Sequence, residues 1–242
     1  ALNRYDSETD GWYVSKDNGD VERKFWKDDF SVDSLPFYDN VIAHSKNYFT
    51  VSGGELVFNT NGESVQPEIV SQFNGCNYGE YELVFKINDP EADVKKLISI
   101  VIAVSGANYW GIALSREAGG TTTKCYLHKN GVYISGTVKT YNEINMNDGN
   151  YHTIKVVWTP SGIVYYLDGL IGNTYSPTSN NYPDISNAKI GVGSPYITYS
   201  CNANISSIAY RPGESYSDDF STDTTERYQP VLGTVAYDDA NK

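Results

Sequence analysis

Alternation of apolar and polar residues is the main pattern in this chain from about residue 50 onwards. Between residues 80 and 87 the odd positions hold Tyr, Leu, Phe and Ile, while Glu and Lys occupy most of the even positions. This period of two is typical of a strand with one buried face. The same reading predicts further strands at 55–58, 69–73, 97–104, 109–114, 124–129, 132–135, 189–192 and 205–211. No stretch has the period of a long amphipathic helix, so the pattern predicts an all-β domain.

Two turns divide the second half of the domain into hairpins. Asn130-Gly131 is a strong signal for a two-residue hairpin turn, and Ser161-Gly162 separates two longer apolar segments. Alternation gives each of these two segments one face, which we expect to be buried in the core. The residues predicted on the two faces are Ile154, Val156 and Trp158, and Ile163, Tyr165 and Leu167. Trp110 is assigned to the core in the same way.

The hairpin at residues 148–169 carries a motif. It begins DGNYHTIKVVW and ends YYLDG, which resembles the laminin-G-like signature DG-x-W/Y-H-x-V-x-V followed by Y-x-DG. The resemblance implies a two-sheet antiparallel jelly-roll sandwich of the laminin-G and concanavalin-A-like type over residues 27–213. That superfamily includes lectins, adhesion modules, glucanases and polysaccharide lyases, so the fold alone does not assign the chemistry.

The two ends of the chain lie outside this sandwich. Residues 28–43 (DDFSVDSLPFYDNVIA) and 218–233 (DDFSTDTTERYQPVLG) align without gaps, which predicts a tandem array. Residues 214–242 are therefore interpreted as the start of a second copy, and residues 218–238 are expected to pack against a sheet of this or a neighbouring copy. Residues 1–26 are interpreted as an arm that docks on something, because linkers rarely carry residues such as Trp12 and Trp26.

Charge and cysteine content narrow the possible partners. The formal net charge is −12, which argues against nucleic acid and anionic membrane surfaces as partners. There is no long apolar run of the kind that spans a membrane. The three cysteines allow one disulfide at most and form no Cys-x-x-Cys pair, so a structural zinc site is not expected. We expect a location outside the cell or on a cell or virion surface.

Catalysis is not predicted from the residues. Glucanases of this fold carry Glu-x-Asp-x-x-Glu on one strand, which supplies nucleophile and acid, and the chain contains no such triplet. Glu80 and Glu82 lie two apart on the more polar face of a predicted strand, where solvated side chains are the simpler interpretation. The sequence is therefore interpreted as that of a non-catalytic protein.

Glycan binding is predicted instead from outward-facing aromatic residues, because sugars stack on exposed tyrosines. If Trp110, Ile112 and Leu114 face the core, strand alternation turns the intervening residues outward. Loop tyrosines in Asn/Ser-rich segments complete the candidate set. The predicted ligand-binding residues are Tyr109, Tyr126, His128, Tyr182, Tyr196 and Tyr199.

Calcium is a possible cofactor, since clustered carboxylates are the ligands it prefers. Neither candidate cluster matches an EF-hand loop. Solvated acidic turns are the alternative explanation for both. The candidate metal ligands are Asp28, Asp29 and Asp33 in one cluster and Asp89, Glu91 and Asp93 in the other.

The preferred interpretation is an extracellular glycan- or surface-recognition module in a tandem-domain surface, adhesin or viral protein. One alternative is a structural subunit joined to neighbouring copies by its terminal arms. A second alternative is a polysaccharide-degrading enzyme. The partners expected are a glycan or surface polymer and neighbouring copies or domains.

Overall fold

The computed structural model describes residues 2–6, 11–15, 23–60, 63, 65–73, 76, 78–88, 96–105, 108–117, 120–176, 188–194 and 201–213. This part of the chain contains 18 strands and two short 3₁₀ helices, Leu35–Phe37 and Ser45–Tyr48. The expectation of an all-β chain is confirmed. The predictions made for residues 214–242 lie outside the described residues.

The strands are short and follow one another closely along the chain. In chain order they are β1 (Leu2–Asp6), β2 (Gly11–Ser15), β3 (Arg23–Asp28), β4 (Tyr38–Asn40), β5 (Phe49–Ser52), β6 (Glu55–Asn59), β7 (Glu68–Ser71), β8 (Gly79–Ile87), β9 (Lys96–Ser105), β10 (Asn108–Arg116), β11 (Thr123–Lys129), β12 (Val132–Tyr133), β13 (Lys139–Tyr141), β14 (His152–Thr159), β15 (Gly162–Leu167), β16 (Leu170–Tyr175), β17 (Lys189–Gly193) and β18 (Asn202–Pro212).

These strands form two antiparallel sheets. Sheet I has ten strands in the order β1-β2-β3-β18-β8-β14-β15-β16, with β6 also paired to β18 and β5 paired to β6. Sheet II has eight strands in the order β12-β11-β10-β9-β17-β7-β4, with β13 also paired to β11. The two sheets enclose one large hydrophobic core, so the predicted two-sheet sandwich is confirmed.

The long hairpin at residues 152–167 supplies the centre of this core, as its alternation predicts. Trp158 is 1% exposed, and its ring meets Trp110 of sheet II edge to face at 5.9 Å. The other predicted core positions of the hairpin, Ile154, Val156, Ile163, Tyr165 and Leu167, are also buried. The turn at Asn130 and Gly131 has positive φ at both residues, the geometry that joins β11 to β12 most tightly.

The amino-terminal segment extends sheet I. β1 pairs with β2, β2 with β3, and β3 with β18, where Trp26 lies opposite Tyr210. Trp26 is buried and stacks on Phe73 at 5.9 Å. The predicted arm therefore docks on its own domain, and the predicted boundary at residue 27 falls inside β3.

Two further observations concern the cysteines and the helices. Cys76, Cys125 and Cys201 are all buried and free. Across the described ranges, no helix has the length and apolar character needed to cross a membrane.

Candidate functional site

The candidate site lies on the outer face of sheet II, the face that points away from the main core. In β10, Trp110, Ile112 and Leu114 face the core, so Tyr109 and Ala113 point outward. Two small apolar clusters form on this outer face. One contains Val70, Val101, Ala103 and Tyr109, and the other contains Leu97, Ala113 and Tyr126.

Polar side chains lie on the same outer face. Ala113, Ser99, Gly193 and Glu68 follow one another directly across β10, β9, β17 and β7. His128 of β11 lies over Gly111, where an added Cβ would collide with the His128 ring. We call Glu68, Ser99 and His128 the polar band. All three side chains are buried, so they are largely shielded from water.

Ser99 and His128 form a buried hydrogen-bonded pair. Ser99 Oγ lies 2.9 Å from the Ile100 carbonyl oxygen and 2.7 Å from His128 Nε2. The direction of the bond between Ser99 and His128 follows the imidazole tautomer. Burial lowers the pKa of His128 to about 3. So weakly basic an imidazole is poorly suited to activate Ser99, and we do not assign the pair as a nucleophile and its base.

Glu68 is the unusual member of the polar band. Its side chain leans over Gly193, where an added Cβ would lie 2.7 Å from Glu68 Cγ. Among the described residues, the Tyr109 hydroxyl is the one side-chain group that interacts with its carboxyl group. Burial raises the pKa of Glu68 to about 8, and the nearby Tyr109 hydroxyl offsets this only in part. Glu68 is therefore a protonated carboxylic acid at neutral pH.

Asp39 is a second carboxyl group on the same face, in the opposite state. It lies opposite Val70, so it is the diagonal cross-strand neighbour of Glu68. Lys189 Nζ donates to Asp39 at 2.6 Å and Gln72 Nε2 donates at 3.2 Å. The bond from Lys189 is the main reason that the pKa of Asp39 is lowered. One protonated and one ionised carboxyl group thus lie on adjacent strands, the arrangement that acid–base chemistry uses.

The predicted sugar-binding aromatics face outward as expected, but they are not exposed. Tyr109 is 6% exposed because it packs in the Val70 cluster, and Tyr126 is 8% exposed because it packs on Leu97 and Ala113 and meets Tyr133 edge to face. His128 is bound to Ser99. Neither tyrosine is exposed in this structure, and the ligand-binding role of the three residues stays a prediction. Tyr182, Tyr196 and Tyr199 lie outside the described residues.

The carboxylates of the first predicted calcium cluster accept hydrogen bonds from nearby groups in the chain. Asp28 accepts from the hydroxyls of Ser34 and Tyr38 at 2.6 and 2.9 Å. Asp29 and Asp33 each accept from a backbone N–H two residues later. No three His, Cys, Asp or Glu side chains in the described part of the chain converge on a possible ion. Asp89, Glu91 and Asp93 lie outside the described residues, and calcium binding stays a prediction.

Glu80 and Glu82 lie on the outer face of sheet I, opposite the side of the sandwich that carries Glu68. Lys155 and Arg211 both pair with Glu80, at 2.5 and 2.9 Å, and Arg211 lies 3.6 Å from Glu82. Both carboxylates are held by cations at the surface. The sequence did not reveal Glu68 or Asp39, because a single carboxylate next to an apolar strand carries no signal of burial or of its ion-pair partner.

Comparison with known proteins decides the family. Residues 39–196, which include Asp39 and Glu68, match the sequence model of glycosyl hydrolases family 16. The chain belongs to this family. A search of curated proteins finds no match.

Solved structures of similar fold support the jelly roll. The Bacillus licheniformis beta-glucanase aligns with a TM-score of 0.54 at 15% identity, over 78% of this chain and 98% of its own. The laminarinase from Flavobacterium sp. UMI-01 gives 0.56 at 15% identity, over 77% and 98%. The Crh5 transglycosylase gives 0.57 at 15% identity, over 78% and 84%. At such identities the likeness shows the fold alone.

Family 16 membership corrects several sequence-based expectations. The concanavalin-A-like jelly roll is confirmed, but the laminin-G-like assignment is not supported. The interpretation as a non-catalytic lectin or adhesion module is wrong, because the family consists of glycosyl hydrolases. The second alternative, a polysaccharide-degrading enzyme, is the one that the family supports.

Proposed function

We propose that the chain is a hydrolase or transglycosylase that cleaves a β-linked glucan and transfers the product to water or to another sugar. The observation that carries this proposal is the pair of carboxyl groups, Glu68 protonated and Asp39 ionised, on one sheet face within the residues matched by the family. The names of the similar structures, a beta-glucanase, a laminarinase and a transglycosylase, support the substrate class and both outcomes.

Glu68 suits the role of general acid. In most glycoside hydrolases one carboxylic acid protonates the leaving-group oxygen as the glycosidic bond breaks. A buried carboxyl group with a pKa of about 8 holds its proton at neutral pH, although the Tyr109 hydroxyl partly offsets the effect of burial. Dry surroundings also strengthen its electrostatic interaction with the reacting bond.

Asp39 suits the complementary role. As the leaving group departs, positive charge develops on the sugar ring, and an ionised carboxylate stabilises that charge as nucleophile or as base. Asp39 is kept ionised by Lys189. If Asp39 is the nucleophile, Glu68 takes the proton of the incoming water or sugar hydroxyl and is restored as the acid. If Asp39 is the base, Asp39 takes the proton of the incoming water, and proton exchange with solvent resets both carboxyl groups.

The geometry gives a direction of approach. Glu68 is fully buried, whereas the side chain of Asp39 is 43% exposed and that of Lys189 is 32% exposed. A glycosidic oxygen can reach Glu68 only when the side chains that cover it move aside, and the glucan would approach from the exposed Asp39 side of sheet II. Because the chain lacks the Glu-x-Asp-x-x-Glu triplet, the two carboxyl groups come from adjacent strands rather than from one. The expected location outside the cell or on a surface is part of this proposal, since polymeric glucans are found there.

The test is incubation of the protein with laminarin and with mixed-linkage β-glucan. New reducing ends report hydrolysis, and elongation of a labelled oligosaccharide acceptor reports transfer. Glu68→Gln should lower the rate about 10²- to 10⁴-fold, the usual contribution of a general acid. Asp39→Asn should be equally damaging, and the anomeric configuration of the first product distinguishes nucleophile (retention) from base (inversion).

The matched control is Glu80→Gln, which removes an ion-paired carboxylate on the opposite sheet. Its rate should stay within about twofold of the parent rate. The proposal fails if neither polymer yields products, or if Glu68→Gln and Glu80→Gln have the same rate.

A further inference from the structure

Tyr151 lies on the outer face of sheet I in an uncommon position. It directly precedes β14, and its hydroxyl donates to Glu55 Oε1 of β6. Between these strands lie β8 and β18, where Lys86 pairs with Asn204 on the same outer face. The tyrosine side chain therefore extends across the sheet instead of standing upright from it.

The two faces of the Tyr151 ring have different surroundings. Lys86 Nζ lies over one face, 4.9 Å from the ring centroid. Tyr151 is nevertheless 46% exposed. Because Lys86 rises from the sheet beneath, the exposed area belongs largely to the opposite face and the edges. The result is a flat aromatic surface, fixed by a hydrogen bond at its tip and a cation below.

Amide and carboxylate groups surround this ring in fixed positions. Asn204 Nδ2 donates to Glu55 Oε2 at 2.5 Å, and Asn88 Nδ2 donates to Asn204 Oδ1 at 2.5 Å. Each amide keeps a second N–H, and Asn88 keeps its carbonyl oxygen, for an additional partner. Groups whose rotamers are already fixed lose little entropy when a ligand binds.

We infer that Tyr151, with Asn88 and Asn204 beside it, is a second carbohydrate-binding surface on the sheet opposite Glu68. The apolar C–H face of a neutral sugar ring would stack on the exposed tyrosine face, and its hydroxyls would bond the two amides. This surface would hold a polymer on the enzyme without taking part in bond cleavage. Its existence does not depend on the acid–base roles of Glu68 and Asp39.

The experiment measures retardation of the full chain in native gels that contain laminarin. Tyr151→Ala should weaken the affinity about tenfold, the scale of one aromatic contact. Asn88→Ala, an exposed side chain at the edge of the network, should weaken it by a smaller factor. The matched control is Ile171→Ala, because Ile171 is an exposed apolar side chain, at 57%, on β16 of the same sheet. The laminarin affinity of this control variant should equal that of the parent protein.

Melting temperatures and a short substrate separate binding from other effects. Turnover of laminaritetraose should be unchanged in Tyr151→Ala, because an oligosaccharide held at Glu68 does not reach the opposite sheet. If Tyr151→Ala markedly lowers the melting temperature, the laminarin affinity of Asn88→Ala tests the proposed surface instead. The inference is overturned if Tyr151→Ala and Asn88→Ala both bind laminarin as the parent does, if Ile171→Ala loses as much affinity as Tyr151→Ala, or if the parent protein is not retarded.

Discussion

Glu80 on the outer face of sheet I and Glu68 on the outer face of sheet II have opposite surroundings. On sheet I, Glu80 is partly exposed and held by Lys155 and Arg211 at 2.5 and 2.9 Å. On sheet II, Glu68 is buried, and no cation of the described residues pairs with it. Cations favour the charged form of a carboxyl group, and burial favours the neutral form. A glutamate is thus an ionised member of a surface ion pair on sheet I and a protonated acid on sheet II.

The histidines show a similar contrast. His128 is buried in the polar band and has its pKa lowered to about 3 by loss of solvent. His152 at the start of β14 is also buried, but Asp168 accepts from Nδ1 at 2.7 Å and Asp148 from Nε2 at 3.1 Å. Burial disfavours the charged form of His152, yet the two carboxylates outweigh it and raise its pKa. The buried polar band of sheet II therefore favours neutral groups, whereas the carboxylates in the turns around β14 favour a charged histidine.

The largest expected effect concerns the stability contributed by Glu68. Its pKa is about 8 in the folded chain and near 4.5 in the unfolded chain, so the folded state retains a proton that the unfolded state releases between these values. Stability is therefore lost as the pH rises through this window. The change in unfolding free energy caused by Glu68→Gln should therefore be more favourable at pH 8 than at pH 4.5, by a few kcal/mol. Urea unfolding at both pH values measures this.

Glu80→Gln provides the comparison on the other sheet. It removes a surface ion pair, so it should cost less than about 1 kcal/mol. A Glu68→Gln variant whose change in unfolding free energy is the same at both pH values would show that Glu68 is not a buried acid.

A smaller effect is expected from Gly111→Ala in the floor of the polar band. The new Cβ would collide with the His128 ring and would lie 2.5 Å from the Ile100 carbonyl oxygen. Overpacking of this kind costs about 1–3 kcal/mol. Gly120→Ala is the control, because its nearest neighbour, the Glu117 carbonyl oxygen, lies at 3.2 Å. Equal unfolding free energies for the two variants would mean that the band is loosely packed.

Much of the fold could be predicted because alternation and turn residues are local signals. Burial of Trp158 and Tyr165 follows from a period of two, and the tight turn at Asn130 follows from the residue pair itself. The amino-terminal strands were harder to predict. β3 pairs with β18, 180 to 184 positions further along the chain, and nothing in residues 23–28 specifies that partner.

The site could not be predicted in the same way. The outward direction of Tyr109 and Tyr126 follows from alternation, but their burial depends on residues from other strands, such as Val70 and Leu97. The raised pKa of Glu68 likewise depends on tertiary surroundings. The missing Glu-x-Asp-x-x-Glu triplet led to the expectation of no catalysis, because a search for one motif on one strand overlooks carboxyl groups on adjacent strands.

The smallest expected effect concerns His152. Its folded pKa is raised above the unfolded value, so its contribution is fully present below about pH 6.5 and is lost as the pH rises through the folded pKa. His152→Gln should therefore cost about 1 kcal/mol at pH 6 and less at pH 9. Chemical denaturation of parent and variant at the two pH values tests this. A cost that is larger at pH 9 would contradict the stabilisation of charged His152 by Asp148 and Asp168.

The central claim is that Glu68 supplies the proton for cleavage of a glucan. The most direct measurement is the pH dependence of kcat/KM on laminarin for the parent protein and for Glu68→Gln. The parent rate should fall as the pH rises through about 8, because the acid loses its proton there. The residual rate of Glu68→Gln should lack this alkaline limb. An alkaline limb that persists unchanged in Glu68→Gln would assign the proton to another group and contradict the account.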